Sequence, residues 1–308
     1  MACYRPRMRV VSLLPSATEI VCGLGARDML VGISHECDFP AEVAGLPVLT
    51  RARVDAEASS RDIDEQVRAV VHDALSVYDV DHEQLAATSP DVIITQDLCE
   101  VCAVSLDDVR RAVAKLAGET AIVSLQPTTL DDVFGDVETV AAALQRPAEG
   151  RRLRAELEGR VHAVAERARR SERRPRVVTV EWLEPIMLGG TWMPDLVALA
   201  GGDALKIQPG APAPTVSRER LADLQPDVVV IKPCGFDIER TMREASSVDA
   251  IASAVPNARL YVTDGNAYFN RPGPRLVESL EILAACADPT EFGDFAEKHQ
   301  AAIEAWPP

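Results

Sequence analysis

The sequence predicts an α/β protein of two related lobes, each built on a parallel sheet and joined by a long helix. Three observations carry this. Short apolar runs of strand length alternate with helical patterns over most of the chain, as parallel βα units do. Between residues 146 and 176 the chain turns rich in Arg and Ala and loses its strand signals. A weak internal repeat relates the two sides of that break. Glu83-Gln-Leu-Ala-Ala-Thr-Ser-Pro90-Asp91-Val-Ile-Ile is echoed by Glu219-Arg-Leu-Ala-Asp-Leu-Gln-Pro226-Asp227-Val-Val-Val. The expected boundaries are 1–145 for an N-terminal α/β lobe, 146–175 for a spanning helix and 176–308 for a C-terminal α/β lobe.

The elements follow in order. Met8 to Leu14 reads as a first strand, and Ser16-Ala17-Thr18-Glu19 matches a capping box opening a helix that Gly25 closes. Leu30 to Ser34 and Leu46 to Thr50 read as short strands, Ile63 to Val77 and Glu83 to Ala87 as helices, and Asp91 to Thr95 as a buried strand. Ser105 is placed to cap a helix from Leu106, with Asp107 and Asp108 at its positive end. Ala121 to Leu125 is the next strand. Leu153, Leu157, Val161, Val164 and Ala168 then form one helical stripe. A helix of about 25 residues would be about 37 Å long, enough to brace two lobes. Arg176 to Trp182 restarts the α/β pattern. Leu260 to Thr263 is the last predicted strand, and a helix runs from Pro274 to Ala285.

The 308 residues carry a formal charge of −16, which argues against nucleic acid or an anionic membrane as the main partner. Hydrophobic content of 47% suits a buried core, and no stretch approaches the ~20 apolar residues of a membrane span. Arg5, Arg7 and Arg9 precede an apolar run that Pro15, Ser16, Thr18 and Glu19 interrupt. That is a poor secretory signal, so a cytoplasmic location is expected. Seven cysteines in a reducing compartment then call for metal binding, catalysis or burial rather than disulfides.

In parallel α/β sheets, ligands bind beyond the carboxyl ends of the strands. Cys37 follows one predicted strand in His35-Glu36-Cys37-Asp38. Cys99 and Cys102 follow another, and Cys234 follows Val228 to Ile231 in the second half. If the lobes face one another, the four sulfurs could converge in a cleft. Four thiolates hold zinc or an iron–sulfur cluster. Two other readings stand beside this one: inert buried thiols and a redox pair at Cys99 and Cys102. His35 and Glu36 are further possible ligands. Cys3, Cys22 and Cys286 look structural.

A second constellation, Asp264-Gly-Asn-Ala-Tyr-Phe-Asn270-Arg271-Pro-Gly-Pro274, lies after the last strand. Its aromatic faces, amides and guanidinium suit a large, partly polar ligand. Phe269 reads equally as core. Tyr268, Asn270 and Arg271 are expected to face ligand, so that Arg271→Ala would weaken binding and leave stability unchanged. Trp182, Glu184 and Trp192 also sit in loops that follow a strand or lead into a helix. No nucleophile elbow, phosphate loop or His-Glu-x-x-His helix is present in the sequence.

Arg9-Val-Val-Ser-Leu-Leu-Pro-Ser-Ala-Thr-Glu-Ile20, the Pro-Asp-Val strands and the long central helix resemble the helical-backbone substrate-binding proteins of iron-siderophore and vitamin B12 ABC importers. Ser34-His-Glu-Cys37, Ala74-Leu-Ser-Val-Tyr78, Thr95 to Ser105, Pro233-Cys-Gly-Phe-Asp237 and Asp264 to Arg275 are similar to a leaderless subgroup labelled cobalamin-binding proteins. The resemblance implies two Rossmann-like lobes and a cleft holding a metal chelate or corrinoid. The expected function is a cytoplasmic binder of cobalamin or another metal-containing small molecule, with a cysteine-ligated metal or iron–sulfur site. Trp182, Trp192 and Tyr268 would give flat apolar contacts, and Asn270 and Arg271 polar anchors. The alternatives are an iron–sulfur enzyme on the same fold, and an importer component that partners an ABC permease and lacks its signal peptide here.

Overall fold

A computed structural model describes residues 8–72, 77–96, 110, 113, 119–205 and 207–307. By contacts the chain divides into two compact units. The first comprises Met1–Glu57, Glu65–Pro127 and Asp132–Ala155, and the second Ala58–Asp64, Thr128–Asp131 and Glu156–Pro308.

Unit 1 holds strands β1 (Val10–Ser12), β2 (Leu30–Ile33), β5 (Val92–Gln96) and β6 (Ala121–Leu125) in the order β2-β1-β5-β6, all parallel. Val10, Val11, Ile93 and Ile94 are fully buried. A parallel sheet covered on both faces needs such continuous apolar runs, and Val11, Leu13, Leu49, Val80, Leu85 and Ile93 pack into one core. A separate antiparallel pair joins β3 (Thr50–Ala52) to β4 (Tyr78–Val80). The run expected as a strand from Leu46 pairs with the main sheet through a bridge between Val48 and Ile33, packs Leu49 into the core and ends at Thr50, the first residue of β3.

Among the described residues, four helices contribute wholly or largely to unit 1: α1 (Pro15–Gly23), α2 (Ser60–His72), α3 (His82–Thr88) and α4 (Leu130–Ala143). The capping-box expectation at Ser16 is corrected. Pro15 already lies in the first turn and Leu14 is the N-cap without a side-chain cap. Proline's fixed φ suits that position. The Thr18 hydroxyl is committed elsewhere, 2.8 Å from Ser12 Oγ. The helix expected from Leu106 lies outside the described residues.

The long helix is α5 (Pro147–Arg170), 24 residues, or about 36 Å. Leu157, Val161, Val164 and Ala168 are buried along it, the stripe read from the sequence. Its residues from Glu156 onward belong to unit 2.

Unit 2 places β7 (Val177–Trp182), β8 (Met187–Leu188), β9 (Val228–Ile231), β10 (Arg259–Thr263) and β11 (Ile303–Trp306) in the order β11-β10-β9-β7-β8. The central β10-β9-β7 strands are parallel. Both edges are antiparallel additions that the sequence reading had not anticipated. Helices α6 (Met193–Leu199), α7 (Arg218–Asp223), α8 (Ile238–Met242), α9 (Ala245–Ala254), α10 (Leu276–Ala287) and α11 (Gly293–Lys298) complete the unit.

The internal repeat has a structural counterpart at the amino ends of the strands. In unit 1, the Arg9 N–H donates to the Asp91 carboxylate at 2.7 Å, and the Asp91 and Val92 N–H groups donate back to the Arg9 carbonyl at 2.8 and 3.2 Å. In unit 2, the Arg176 N–H donates to Asp227 at 2.7 Å, and Asp227 and Val228 return to the Arg176 carbonyl at 2.8 and 3.1 Å. The Pro-Asp turn thus latches two neighbouring parallel strands in the same way twice.

Candidate functional site

At the carboxyl end of β2, Thr50 organises the turn. Its Oγ1 lies 2.9 Å from Ser34 Oγ, accepts the His35 N–H at 3.0 Å and lies 2.7 Å from His35 Nδ1. That fixes the imidazole with Nε2 3.3 Å from Glu36 Oε1. The Tyr78 ring meets the imidazole edge-on at 4.9 Å, and its hydroxyl lies 3.5 Å from Glu36 Oε1. His35, Glu36 and Tyr78 therefore form one polar and aromatic group, only partly buried. Cys37 turns the other way. It is buried, and its Sγ sits 3.1 Å from Thr18 Oγ1.

In unit 2, three loops follow the three parallel strands. After β7 the Trp182 indole N–H donates to the Ser60 carbonyl at 3.1 Å, and its ring packs on Phe236 at 5.3 Å. The Arg240 guanidinium covers the Phe236 ring at 4.0 Å. Glu184, about one-third exposed, pairs with Arg61. Ser60 is held by Glu244, whose carboxylate accepts its N–H at 2.7 Å and its hydroxyl at 2.5 Å. The first turn of α2, which itself belongs to unit 2, is thus capped by Glu244 of the same unit.

The loop after β10 is tightly built. Asp264 Oδ1 accepts the N–H groups of Asn266 and Ala267 at 3.0 and 2.7 Å. Burial pushes the Asp264 carboxyl above the usual carboxylate range, against those two donors. Phe269 is fully buried and takes φ +66°. Its carbonyl accepts the Trp192 indole N–H at 2.8 Å, and its N–H donates to Ser279 Oγ at 2.8 Å. Tyr268 remains partly exposed, with Arg275 over its ring at 5.6 Å.

Several of the expected side chains are engaged within the protein. Trp192 is buried, and its one polar donor is engaged by the loop backbone. It packs the loop and offers no free face. Arg271 is only 7% exposed and donates to Asn266 Oδ1 at 2.9 Å. The expectation that its loss leaves stability unchanged is corrected, because a buried, bonded guanidinium cannot be removed without leaving its partner short. Asn270 is turned into the protein. Its Nδ2 donates to the carbonyls of Lys232 and Gly265 at 3.0 and 2.8 Å, and its Oδ1 accepts from Lys232 Nζ at 2.8 Å. Of the predicted ligand set, His35, Glu36, Trp182, Glu184, Tyr268 and Asn270 are partly exposed, and the polar atoms of the Asn270 amide are engaged within the protein.

A match to the periplasmic binding protein family runs over residues 10–267. The chain belongs to that family. Within it, the chain is a substrate-binding protein of the helical-backbone siderophore and vitamin B12 class. It is 25% identical over 280 residues to a vitamin B12-binding protein of Yersinia pseudotuberculosis, covering 89% of this chain and 84% of that one. It is likewise 25% identical over 281 residues to a vitamin B12-binding protein of Vibrio cholerae, covering 90% and 87%. Among solved structures, a periplasmic heme binding protein from Pseudomonas aeruginosa aligns with TM-score 0.68 at 20% identity, over 92% of this chain and 93% of that one. The periplasmic vitamin B12 binding protein of Vibrio cholerae aligns with TM-score 0.65 at 21% identity, over 95% and 99%.

Membership overturns the cytoplasmic location expected from the sequence, since the family and these solved relatives are periplasmic. The interrupted apolar run that suggested it is the buried β1–α1 junction of unit 1. The cysteine-ligated metal or iron–sulfur site also finds no support. Among the described residues, no group of three or more His, Cys, Asp or Glu is placed to hold a metal ion. Cys37 is inside the core and Cys234 is exposed, while Cys99 and Cys102 lie outside the described residues. Of the two cysteines expected to be structural within them, Cys286 is buried and Cys22 partly so. Burial pushes these thiols up to about 12 and about 11, far from the thiolate form that ligates metal.

The sequence reading had not singled out Thr50, Glu244 or Lys232. Thr50 ends an unremarkable apolar run, and Glu244 acts across a long stretch of chain, so neither leaves a local signal. Lys232 did leave one: a lysine directly abuts the wholly apolar Val228-Val-Val-Ile231, where a charge must either reach solvent or find a buried partner.

Proposed function

We propose that the protein captures a metal-centred tetrapyrrole, first of all a corrinoid of the vitamin B12 type, for transfer to a membrane permease. The full-length likeness to proteins named for vitamin B12 binding carries this reading. The loops at the carboxyl ends of the strands support it. Those of unit 1 offer an imidazole, a carboxylate and a phenol at His35, Glu36 and Tyr78, and those of unit 2 offer flat rings at Trp182 and Tyr268 and a carboxylate at Glu184. Either set suits a corrinoid, whose ring faces are apolar and whose rim carries amides. Trp192, Asn270 and Arg271 contribute by holding the loops.

Titration of the purified protein with cyanocobalamin, and separately with hemin, tests the reading. Both probes absorb visible light and quench tryptophan emission. Cyanocobalamin is expected to be retained through gel filtration at about one per chain, with a Kd of about 1 μM or tighter. Preference for hemin would move the assignment to heme, and retention of neither would overturn it.

A further inference from the structure

We propose that Lys232 is the positioning residue that gathers the three ligand-end loops of unit 2 into one rigid platform, and so sets ligand affinity without touching ligand. Its bearing on affinity rests on the binding reading above. Its organising role stands on the structure of unit 2.

Lys232 is fully buried. Its Nζ donates to Glu181 Oε2 at 2.9 Å and to Asn270 Oδ1 at 2.8 Å. These partners end β7 and stand in the loop after β10, while Lys232 itself begins the loop after β9. One ammonium therefore joins the end of β7 to the loops after β9 and β10. The backbone repeats the connection. The Lys232 N–H donates to the Val180 carbonyl at 2.8 Å and the Cys234 N–H to the Glu181 carbonyl at 3.1 Å. Asn270 Nδ2 returns to the carbonyls of Lys232 and Gly265. The Gly190 N–H reaches the same Glu181 oxygen at 3.4 Å.

The chemistry explains why a lysine stands where an apolar residue would be the simpler choice. A buried ammonium is costly unless paired and fully hydrogen-bonded, and removing its partner costs more than the pair contributes. Any displacement of Glu181 or Asn270 strands that charge in the interior. The arrangement therefore resists loop displacement. Gly265 makes the fit tighter still: a Cβ there would lie 2.1 Å from the Pro233 carbonyl oxygen. Trp182 adjoins Glu181, and Tyr268 lies two residues from Asn270, so two partly exposed rings at the ligand end of this unit are carried on the parts that Lys232 ties down.

The test compares wild type, Lys232→Met, Asn270→Ala and the double variant by backbone hydrogen exchange and by cyanocobalamin and hemin titration. In Lys232→Met, the amides of Gly190, Asn266 and Asn270 are expected to exchange about tenfold faster or more, while those of β7, β9 and β10 keep their protection. Affinity for the probe that wild type binds is expected to fall about tenfold or more. Because Lys232 acts in part through Asn270, the double variant is expected to lose less than the sum of the two single losses; fully additive losses would overturn the mechanism. If Lys232→Met does not fold, Asn270→Ala alone must free the 264–275 amides. Unchanged loop protection, or freed loops with unchanged affinity, overturns the proposal. Retention of neither probe by wild type sinks the tetrapyrrole reading, and the exchange arm still decides the organising role of Lys232.

Discussion

Glu281 offers the sharpest test of the energetics. It lies on α10 with its side chain 6% exposed, among Arg160 at 2.9 Å, Lys298 at 2.6 Å and His299 at 2.7 Å. Arg160 also binds Glu278 at 2.9 Å, which ties α5 to α10 within unit 2. Burial alone would raise the Glu281 pKa. The hydrogen bonds from His299, Lys298 and Arg160 outweigh it and lower the value from 4.5 to about 2. At 1.36 kcal/mol per pH unit, that displacement is worth about 3 kcal/mol. The folded value lies below the unfolded one, so this stability is fully present above about pH 4.5 and is lost as pH falls towards 2. Glu281→Gln removes the charge at every pH. Urea denaturation of both proteins at pH 7, 5, 4 and 3 should show a gap of about 3 kcal/mol at neutral pH, constant to pH 5 and narrowing below 4.5. A gap under about 0.5 kcal/mol at pH 7, or one that does not narrow in acid, would refute the reasoning.

Other outcomes follow from the same geometry. Gly265→Ala forces a Cβ against the Pro233 carbonyl oxygen and should destabilise by about 1–3 kcal/mol, seen as a lower Tm. Arg271→Ala should destabilise by about 1–3 kcal/mol through the lost bond to Asn266, and a melt unchanged within about 0.5 kcal/mol would return Arg271 to the ligand. Asp227→Ala should cost about 1 kcal/mol by unlatching β7 from β9, with affinity for cyanocobalamin unaltered. Timed alkylation of native protein followed by mass spectrometry should modify Cys234 ahead of Cys22, Cys37 and Cys286, since it is the exposed thiol among these four.

Much of the fold was legible because its signals are local. The β9 strand is a run of four fully buried apolar residues, and α5 declares itself by an apolar stripe and a strandless composition. The antiparallel edges were not legible. Met187–Leu188 is two residues long, and Ile303–Trp306 carries an exposed residue among partly buried ones, so neither has the continuous apolar run of a central strand. The carboxyl-end rule located the right loops, yet it could not say which way a side chain turns. Phe269 at positive φ directs its neighbours so that Asn270 and Arg271 point inward while Tyr268 stays accessible. Those orientations follow from Ser279, Trp192 and Lys232, each remote in sequence. The cysteine constellation misled because shared placement near strand ends does not imply shared orientation. Cys37 is directed at Thr18 and Cys234 is exposed.

The paired Arg–Asp latches have a bearing on redesign. Each unit is fastened at the base of its sheet by main-chain groups and one aspartate, at the opposite end of the strands from the loops that follow them. Backbone donors and acceptors are common to all residues, so the clasp makes no demand on what the far rim carries. A library that varies the partly exposed His35, Glu36, Trp182 and Glu184 while keeping Arg9, Asp91, Arg176 and Asp227 would alter the proposed recognition surface and leave both latches in place. Retargeting such a scaffold to a new cargo then becomes a problem of rim chemistry, with the buried Trp192, Lys232, Phe269 and Arg271 left untouched.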